Sequence, residues 1–221
     1  SRIKKITGKN IAFIKGDILN QQMLSKAISD NKIESVIHFA GLKSVSDSIK
    51  NPLDYFDNNV AGTLSVLKAM EQNNIKKIIF SSSATVYGVP EYLPIDEDHK
   101  LEPINPYGVG KKIIEDMLKD IALSDSDWGI LCLRYFNPVG AHESALIGED
   151  STGIPSNLVP YITSVAMGKY KSVNIFGNDY PTSDGTGIRD YIHVMDLADG
   201  HLSALEYFCS GGKGFAAVNL G

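Results

Sequence analysis

The sequence has little cysteine, a single tryptophan and no long apolar run. Its 221 residues include 2 cysteines, too few for the disulfide framework of a small secreted domain. The longest apolar stretches, such as residues 130–133, are far shorter than the ~20 residues that cross a membrane. The first residues lack the apolar segment of a secretory signal. These absences favour a protein of the reducing cytoplasm, with Cys132 as a buried thiol.

The sequence contains no block of five like charges. The 21 basic and 26 acidic residues give a net charge of −5, which predicts neither a nucleic-acid nor a membrane partner. No metal-ligand spacing is present either, so no metal site is predicted. A hydrophobic content of 43% is sufficient for a packed core.

Apolar runs and amphipathic segments alternate through the first 138 residues. We predict strands over 10–15, 35–40, 77–82 and 129–135, and helices over 21–29, 57–73 and 107–123. The strand segments are nearly continuous apolar runs, which is typical of strands covered by helices on both faces. The predicted fold class is α/β, a doubly wound parallel sheet of the Rossmann type.

The amino-acid composition changes near residue 138, where glycine and proline become frequent. Only two further helices are predicted, over 156–167 and 195–208. We therefore expect residues 1–138 to form part of a dinucleotide-binding domain. Residues 139–221 are expected to form part of a smaller, loop-rich region that binds substrate.

A Tyr-x-x-x-Lys pair, Tyr107 and Lys111, follows the hydroxyl run Ser81–Ser83 by 24 residues. Chance alone gives about one such pair in a chain of this composition, so the pair needs its context. Because the carboxyl ends of parallel strands meet at one edge, the serines should lie there with residues 41–43, residues 135–137 and Asp17. This convergence indicates a site.

The residue types at this edge suit redox chemistry at a carbinol. A tyrosine titrates near 10 and needs a nearby cation to act as a base. Lys111, one helical turn after Tyr107, can supply that charge and lower its pKa. Ser83 can hydrogen-bond the reacting oxygen. The alternative is an ordinary first-turn aromatic, a solvated lysine and a strand end that happens to carry serines.

Four further residues have two interpretations each. Asp17 is either a ribose or adenine ligand or a turn residue, and Lys43 is either a phosphate contact or a loop lysine. Arg189, one of three arginines, either grips a diphosphate or pairs with Asp190. His193 is either a ligand or a structural histidine, and the structural interpretation is favoured.

Five segments resemble the UDP-galactose 4-epimerases, a group within the extended short-chain dehydrogenase/reductase family. They are residues 38–43 (HFAGLK), residues 80–88 (FSSSATVYG), the pair Tyr107 and Lys111, residues 134–142 (RYFNPVGAH) and residues 187–194 (GIRDYIHV). The resemblance is ordered along the chain and covers nearly all of it.

The resemblance implies that a tightly held NAD oxidises C4 of a UDP-hexose, that the 4-keto sugar turns over, and that hydride returns to the opposite face. UDP-galactose and UDP-glucose would thus interconvert, with Tyr107 as acid and base, Lys111 as its electrostatic partner and Ser83 at the 4-oxygen. The implied cofactor contacts are Asp17, Ile18, Phe39, Ala40, Gly41, Leu42, Lys43, Asn58, Ser83, Tyr107, Lys111 and Phe136. The implied substrate contacts are Ser83, Tyr107, Asn137, Asn157, Leu158, Asn174, Ile175, Phe176 and Arg189.

Several alternatives stay open beside this one. Related 4,6-dehydratases carry an acidic pair where this chain has Ala84 and Thr85, which favours epimerisation. UDP-glucuronate and UDP-N-acetylhexosamine 4-epimerases remain competitors, as does a non-catalytic UDP-sugar-binding fragment. A nucleotide-sensing module is disfavoured, because it has no need of Ser83, Tyr107 and Lys111 together.

The sequence departs from the family at its ends, and one partner is implied by the family alone. The family opens with a strand and a glycine-rich turn, but the chain contains no G-x-G-x-x-G. The resemblance therefore predicts further segments before and after these residues. It also implies a homodimer formed through the helices at 57–73 and 107–123.

Overall fold

The computed structural model describes residues 1–149, 153–155 and 157–221. Residues 12–135 and 199–220 form one compact unit, here called the sheet unit. Residues 1–11, 136–198 and 221 form a second unit. This differs from the predicted division, which gave all of residues 139–221 to the substrate region. The reason is a late strand, Gly214–Leu220, that pairs in parallel with Gly129–Tyr135.

Helices and strands alternate along the described residues without a strict repeat. The α-helices are α1 (Arg2–Thr7), α2 (Gln21–Asp30), α3 (Val45–Lys50), α4 (Pro52–Tyr55), α5 (Gly62–Gln72), α6 (Pro106–Ser124), α7 (Leu158–Ala166) and α8 (Val194–Cys209). The strands are β1 (Val36–His38), β2 (Lys77–Ser83), β3 (Gly129–Tyr135), β4 (Asn137–Val139), β5 (Tyr191–His193) and β6 (Gly214–Leu220). A π-helical turn, Phe56–Ala61, joins α4 to α5.

The sheet unit contains a parallel sheet in the order β1-β2-β3-β6. Apolar side chains of α5 and α6 pack on one face of this sheet, around Met70, Leu118 and Ile130. Side chains of α8 pack on the other face, where Phe208 joins Ile79. Helices therefore cover both faces, and the predicted doubly wound α/β class is confirmed.

The first predicted strand, residues 10–15, is wrong. These residues have no regular structure, and the Phe13 side chain is 84% exposed. A strand is stabilised by the ladder to its neighbour, and in the described residues β1 pairs only with β2, on its inner side. An apolar run without a sheet partner therefore stays irregular.

The other predicted elements of the sheet unit are confirmed, with shifts at their ends. The helix predicted over 57–73 is α4, the π-turn and α5 in succession, and it begins at Pro52 because proline suits a first helical turn. Leu64, in the first turn of α5, is 39% exposed. The sequence patterns missed α1, α3, β4, β5 and β6.

The second unit is built around the short parallel pair β4 and β5. The amide and side-chain nitrogens of Asn137 both donate to the Asp190 carbonyl, at 3.2 and 2.7 Å, which ties the start of β4 to the residue before β5. Tyr161 on α7 stacks on Tyr170. The predicted helix over 156–167 is seen as α7, while its predicted first residue, Ser156, lies outside the described residues.

We expect the core under α6 to dominate the stability of the sheet unit. Leu118 is fully buried, whereas Leu123 on the same helix is 76% exposed. Replacing Leu118 by Ala should lower the free energy of unfolding by about 3 kcal/mol, because burial is lost and a cavity remains. Leu123→Ala, the matched control, should change it by less than about 0.5 kcal/mol. Urea unfolding monitored by circular dichroism measures both, and equal effects would contradict this packing.

Within the part of the chain that the structure describes, no helix is both long and apolar enough to cross a membrane.

Candidate active site

The start of α6 fixes the position of Tyr107. Asn105 lies in an extended conformation, and its side chain accepts a hydrogen bond from the Gly108 amide at 2.9 Å. Pro106 occupies the first turn, where its missing N–H costs nothing. The Tyr107 amide then donates to the hydroxyl of buried Ser48 on α3, at 3.2 Å. These contacts place Tyr107 in the first turn, as the sequence predicts.

Lys111 lies one turn further along α6 and points into the sheet. Its side chain is 5% exposed, and Nζ donates to the Ser81 carbonyl at 2.6 Å. The ammonium also lies 4.6 Å from the centroid of the Phe80 ring and 5.7 Å from that of the Tyr107 ring. Burial lowers the pKa of Lys111 to about 8. The interpretation of Lys111 as a solvated lysine is therefore wrong.

The phenol of Tyr107 does not behave as the sequence predicts. Its pKa is raised, chiefly by burial, although a hydrogen bond with Ser83 acts in the opposite direction. The expected lowering of the Tyr107 pKa by Lys111 is not seen, and the Lys111 ammonium donates instead to the Ser81 carbonyl. A further positive charge is needed to bring Tyr107 to the phenolate form at neutral pH.

Ser83 ends β2 and faces the residue that ends β3. Its Cα pairs with that of Tyr135 in the ladder. The Ser83 hydroxyl oxygen accepts hydrogen bonds from the amide and hydroxyl of Thr85, at 3.2 and 3.0 Å. The strand end thus turns into a short 3-10 turn, Ala84–Val86, and holds the serine beside Tyr107. The structure therefore brings Ser83, Tyr107 and Lys111 together.

The loop after β1 is fixed by Asn59, which the sequence patterns did not identify. Buried Asn59 accepts from the Leu42 amide at 2.7 Å and donates to the Leu42 carbonyl at 2.9 Å. This pairing fixes Phe39, Ala40, Gly41, Leu42 and Lys43 at the carboxyl end of β1. Phe39 is 60% exposed, and its ring packs 4.9 Å from that of His201. Asn58, the predicted neighbour, is half-buried.

Asp17 is not gathered with the strand ends. Its carboxylate accepts a hydrogen bond from the Leu19 amide at 2.9 Å, the turn geometry that was the simpler interpretation. It lines a surface depression with Gln72, the last residue of α5. No contact within the described ranges joins it to Ser83 or Tyr107. Ile18 packs against α5 at Gly62.

The predicted substrate contacts of the second unit lie mostly on its surface. Asn157 is exposed and donates to Glu149 at 2.9 Å. The guanidinium of exposed Arg189 donates to the Ile188 carbonyl at 2.8 Å, and His193 accepts from the Met195 amide at 3.2 Å. The remaining positions, also exposed, are Leu158, Asn174, Ile175 and Phe176.

Two side-chain pairs beside the strand ends, Tyr135 with His201 and Arg134 with Glu115, were not predicted from the sequence. Burial raises the pKa of Tyr135 to about 12, and its hydroxyl hydrogen-bonds buried His201 on α8. Arg134 and Glu115 form an ion pair at 2.7 Å in which neither side chain is more than 5% exposed. The available signal was Glu115 at four residues from Lys111, on the same face of the helix.

Comparison with known proteins covers the whole chain. A model of the NAD dependent epimerase/dehydratase family matches residues 1–221. The chain is 53% identical over 221 residues to UDP-glucose 4-epimerase of Bacillus subtilis, and it spans 65% of that protein. It is 52% identical to a bifunctional UDP-glucose and UDP-xylose 4-epimerase of Pisum sativum, of which it spans 64%.

Solved structures give the same match. The crystal structure of UDP-glucose 4-epimerase from Bifidobacterium longum, in complex with NAD+ and UDP, has a TM-score of 0.95 and 50% identity. The match includes 100% of the present chain and 65% of that chain. With a family model matched from the first residue to the last, the chain belongs to the NAD dependent epimerase/dehydratase family.

Proposed function

We propose that the chain carries the catalytic centre of a UDP-glucose 4-epimerase, which interconverts UDP-galactose and UDP-glucose with NAD as cofactor. The observation that carries the proposal is the assembly of Ser83, Tyr107 and Lys111 at the carboxyl end of β2. Relatives at 52 and 53% identity are named as UDP-glucose 4-epimerases. The chain spans about two thirds of their length, 65% and 64%.

In this proposal Tyr107 moves the proton at the sugar 4-oxygen. It takes the hydroxyl proton as the sugar is oxidised and returns it as the sugar is reduced, so that one residue serves as base and then acid. Ser83 hydrogen-bonds the same oxygen and aligns it with the phenol. Lys111 is buried and Tyr107 is half-buried, which limits the access of water and strengthens the electrostatic contacts inside the site.

The residues at the strand ends fit NAD. An ammonium has three donors, so Lys111 can bind ribose hydroxyls while it keeps its bond to the Ser81 carbonyl. NAD, when bound, would accept the hydride from C4 and return it, and its positive charge would favour the phenolate form of Tyr107. The remaining proposed contacts are Asp17, Ile18, Phe39, Ala40, Gly41, Leu42, Lys43, Asn58 and Phe136.

The exposed polar residues of the second unit suit a UDP-sugar. Arg189 can bind a diphosphate through two parallel N–H bonds. We assign the nucleotide and sugar to Arg189 together with Asn137, Asn157, Leu158, Asn174, Ile175 and Phe176.

We expect turnover to fall as the pH rises past about 8. Lys111 has a pKa of about 8, so raising the pH removes its charge and weakens the hydrogen bonds that it is proposed to donate to the ribose hydroxyls of the cofactor. In Lys111→Arg the guanidinium stays charged at all accessible pH values, and the decline should move to higher pH, with a lower maximum rate. The pH profile of kcat measures this, and superimposable declines would contradict the role of Lys111.

The experiment that tests the function uses the purified protein, added NAD and a panel of sugars. UDP-galactose should be converted to UDP-glucose, as followed by NMR of the anomeric protons. UDP-xylose, UDP-glucuronate and UDP-N-acetylgalactosamine are offered in parallel, because relatives named for other sugars exist. Conversion of one of these with UDP-galactose untouched would assign the chain to another 4-epimerase. Binding of UDP without any conversion would favour a sensing or non-catalytic role.

We further infer a homodimer in the cytoplasm, formed through the face shared by α5 and α6. Leu64 and Ile113 on these helices are 39% and 40% exposed, and Leu53 just before them is 80% exposed. Apolar side chains grouped on helices favour association. Sedimentation velocity should therefore give twice the monomer mass.

A further inference from the structure

The inward face of α6 carries a third charged residue beyond the two that the proposed reaction uses. Tyr107, Lys111 and Glu115 follow one another at four-residue steps, which places them in a row on one face of the helix. Glu115 is 2% exposed. An isolated carboxylate at this depth would be strongly disfavoured, so its partners show what holds it there.

Glu115 is bound from two strands. Arg134 on β3 donates to it from Nε at 3.1 and 3.3 Å and from Nη2 at 2.7 Å. The hydroxyl of Ser82 on β2 also donates to it. Arg134 in turn donates from Nη1 to the Tyr87 hydroxyl at 2.8 Å, and Tyr87 donates to Asn219 on β6 at 2.7 Å. One carboxylate thus connects α6 to the carboxyl ends of neighbouring strands.

Ser82 links Glu115 to the residues of the candidate active site. It lies between Ser81, whose carbonyl receives the Lys111 ammonium, and Ser83, whose hydroxyl meets Tyr107. The bond from Ser82 to Glu115 therefore fixes the strand end from the same helix that carries Tyr107 and Lys111. Replacing a buried ion pair by apolar residues is often neutral for stability. The role of the pair formed by Glu115 and Arg134 therefore lies in the position and charge that it gives the neighbouring side chains.

We propose that Glu115 is a positioning residue: paired with Arg134 and bonded to Ser82, it keeps Lys111 charged and seated on the Ser81 carbonyl beside Tyr107. This inference rests on the function proposed above. Glu115 touches no reacting atom in that scheme and acts through Lys111.

The other groups that face Lys111 are neutral near pH 7. Burial lowers the pKa of His38 on β1 to about 4 and raises that of the Cys132 thiol on β3. The pKa of Tyr107 is also raised by burial. Two groups raise the pKa of Lys111 against the effect of burial, first Cys132 and then Glu115. Cys132 can do so only as a thiolate, and its pKa is raised well above its usual value, so near neutral pH the group that acts on Lys111 is Glu115, the partner of Arg134.

The test is an NMR titration of the Lys111 side chain in isotope-labelled protein, with its signal assigned by its loss in Lys111→Arg. Glu115→Gln should move the Lys111 transition to lower pH by about one unit and lower kcat about tenfold at neutral pH, with KM unchanged. Asp116→Asn is the matched control, because it removes a charge from the next position of α6, where the carboxylate pairs with exposed Lys112. Neither quantity should change in that control.

Two outcomes overturn the proposal. One is a folded Glu115→Gln protein whose Lys111 transition stays within about 0.3 pH unit of the unmodified protein. If Glu115→Gln does not fold, the double variant Glu115→Met with Arg134→Met replaces it. In that double variant the Lys111 transition should still move to lower pH. An unchanged transition there overturns the proposal. The titration needs no turnover, so an inactive protein whose Lys111 responds as expected refutes the epimerase assignment alone.

Discussion

Replacing Tyr107 by Phe is expected to abolish epimerisation while sparing nucleotide binding. The variant keeps the half-buried ring and loses only the hydroxyl that is proposed to move the proton at the sugar 4-oxygen. General acid–base catalysis by one side chain is worth about 10² to 10⁴ in rate, and here one residue serves in both directions. We therefore expect kcat to fall by about 10³-fold. Steady-state kinetics with UDP-galactose measure the loss.

The controls for this variant separate chemistry from folding. Calorimetric titration with UDP should give an affinity within about threefold of the unmodified protein, because the phenol makes no proposed contact with the nucleotide. Tyr92→Phe is the matched substitution, since it removes a phenol that donates to Asp96 in an exposed loop, and it should leave kcat unchanged. Undiminished turnover in Tyr107→Phe would remove Tyr107 from the mechanism.

Replacing Arg134 by Met should produce the largest loss of stability among the polar positions of the sheet unit. The substitution leaves the Glu115 carboxylate, 2% exposed, without its cationic partner. Breaking one side of such a pair costs about 3–5 kcal/mol, mostly because a charge stays buried and uncompensated. Urea unfolding measures the change in the free energy of unfolding.

Two further variants show whether burial is the cause. Glu115→Met combined with Arg134→Met removes both charges and should recover stability to within about 1–2 kcal/mol of the unmodified protein. Lys112→Met breaks the pair with Asp116, which has the same 2.7 Å separation but is exposed on the same helix, and should cost less than about 1 kcal/mol. A double variant as unstable as Arg134→Met alone would show that the cost arises elsewhere.

The sheet-forming segments and α6 could be predicted because local signals agreed. The apolar run of β3 was placed at its observed limits, Gly129–Tyr135, and Pro106 marked the start of α6. Residues 10–15 have the same apolar texture and form no strand, because strand formation depends on a neighbour that a local pattern does not reveal. The strand β6 was missed because its apolar run is short and is interrupted by Asn219.

The candidate site could likewise be predicted only in part. The Tyr-x-x-x-Lys spacing together with the predicted strand ends indicated that Ser83, Tyr107 and Lys111 would meet, since the carboxyl ends of parallel strands share one edge of the sheet. Sequence could not predict that the Lys111 ammonium would bond to the Ser81 carbonyl, or that burial would raise the pKa of Tyr107. Glu115 was missed because a helix pattern assigns charged residues to the solvent face, and its pairing with Arg134 on β3 joins residues that are 19 positions apart in the chain.

The most direct test of the central claim follows the hydrogen on C4. UDP-galactose deuterated at C4 is incubated with the protein and NAD in ordinary water, and the UDP-glucose formed is analysed by NMR and mass spectrometry. Oxidation and reduction at one enclosed carbon predict that the deuterium stays at C4 in the product. Product that has exchanged its deuterium for solvent hydrogen would contradict hydride return at the site formed by Ser83, Tyr107 and Lys111.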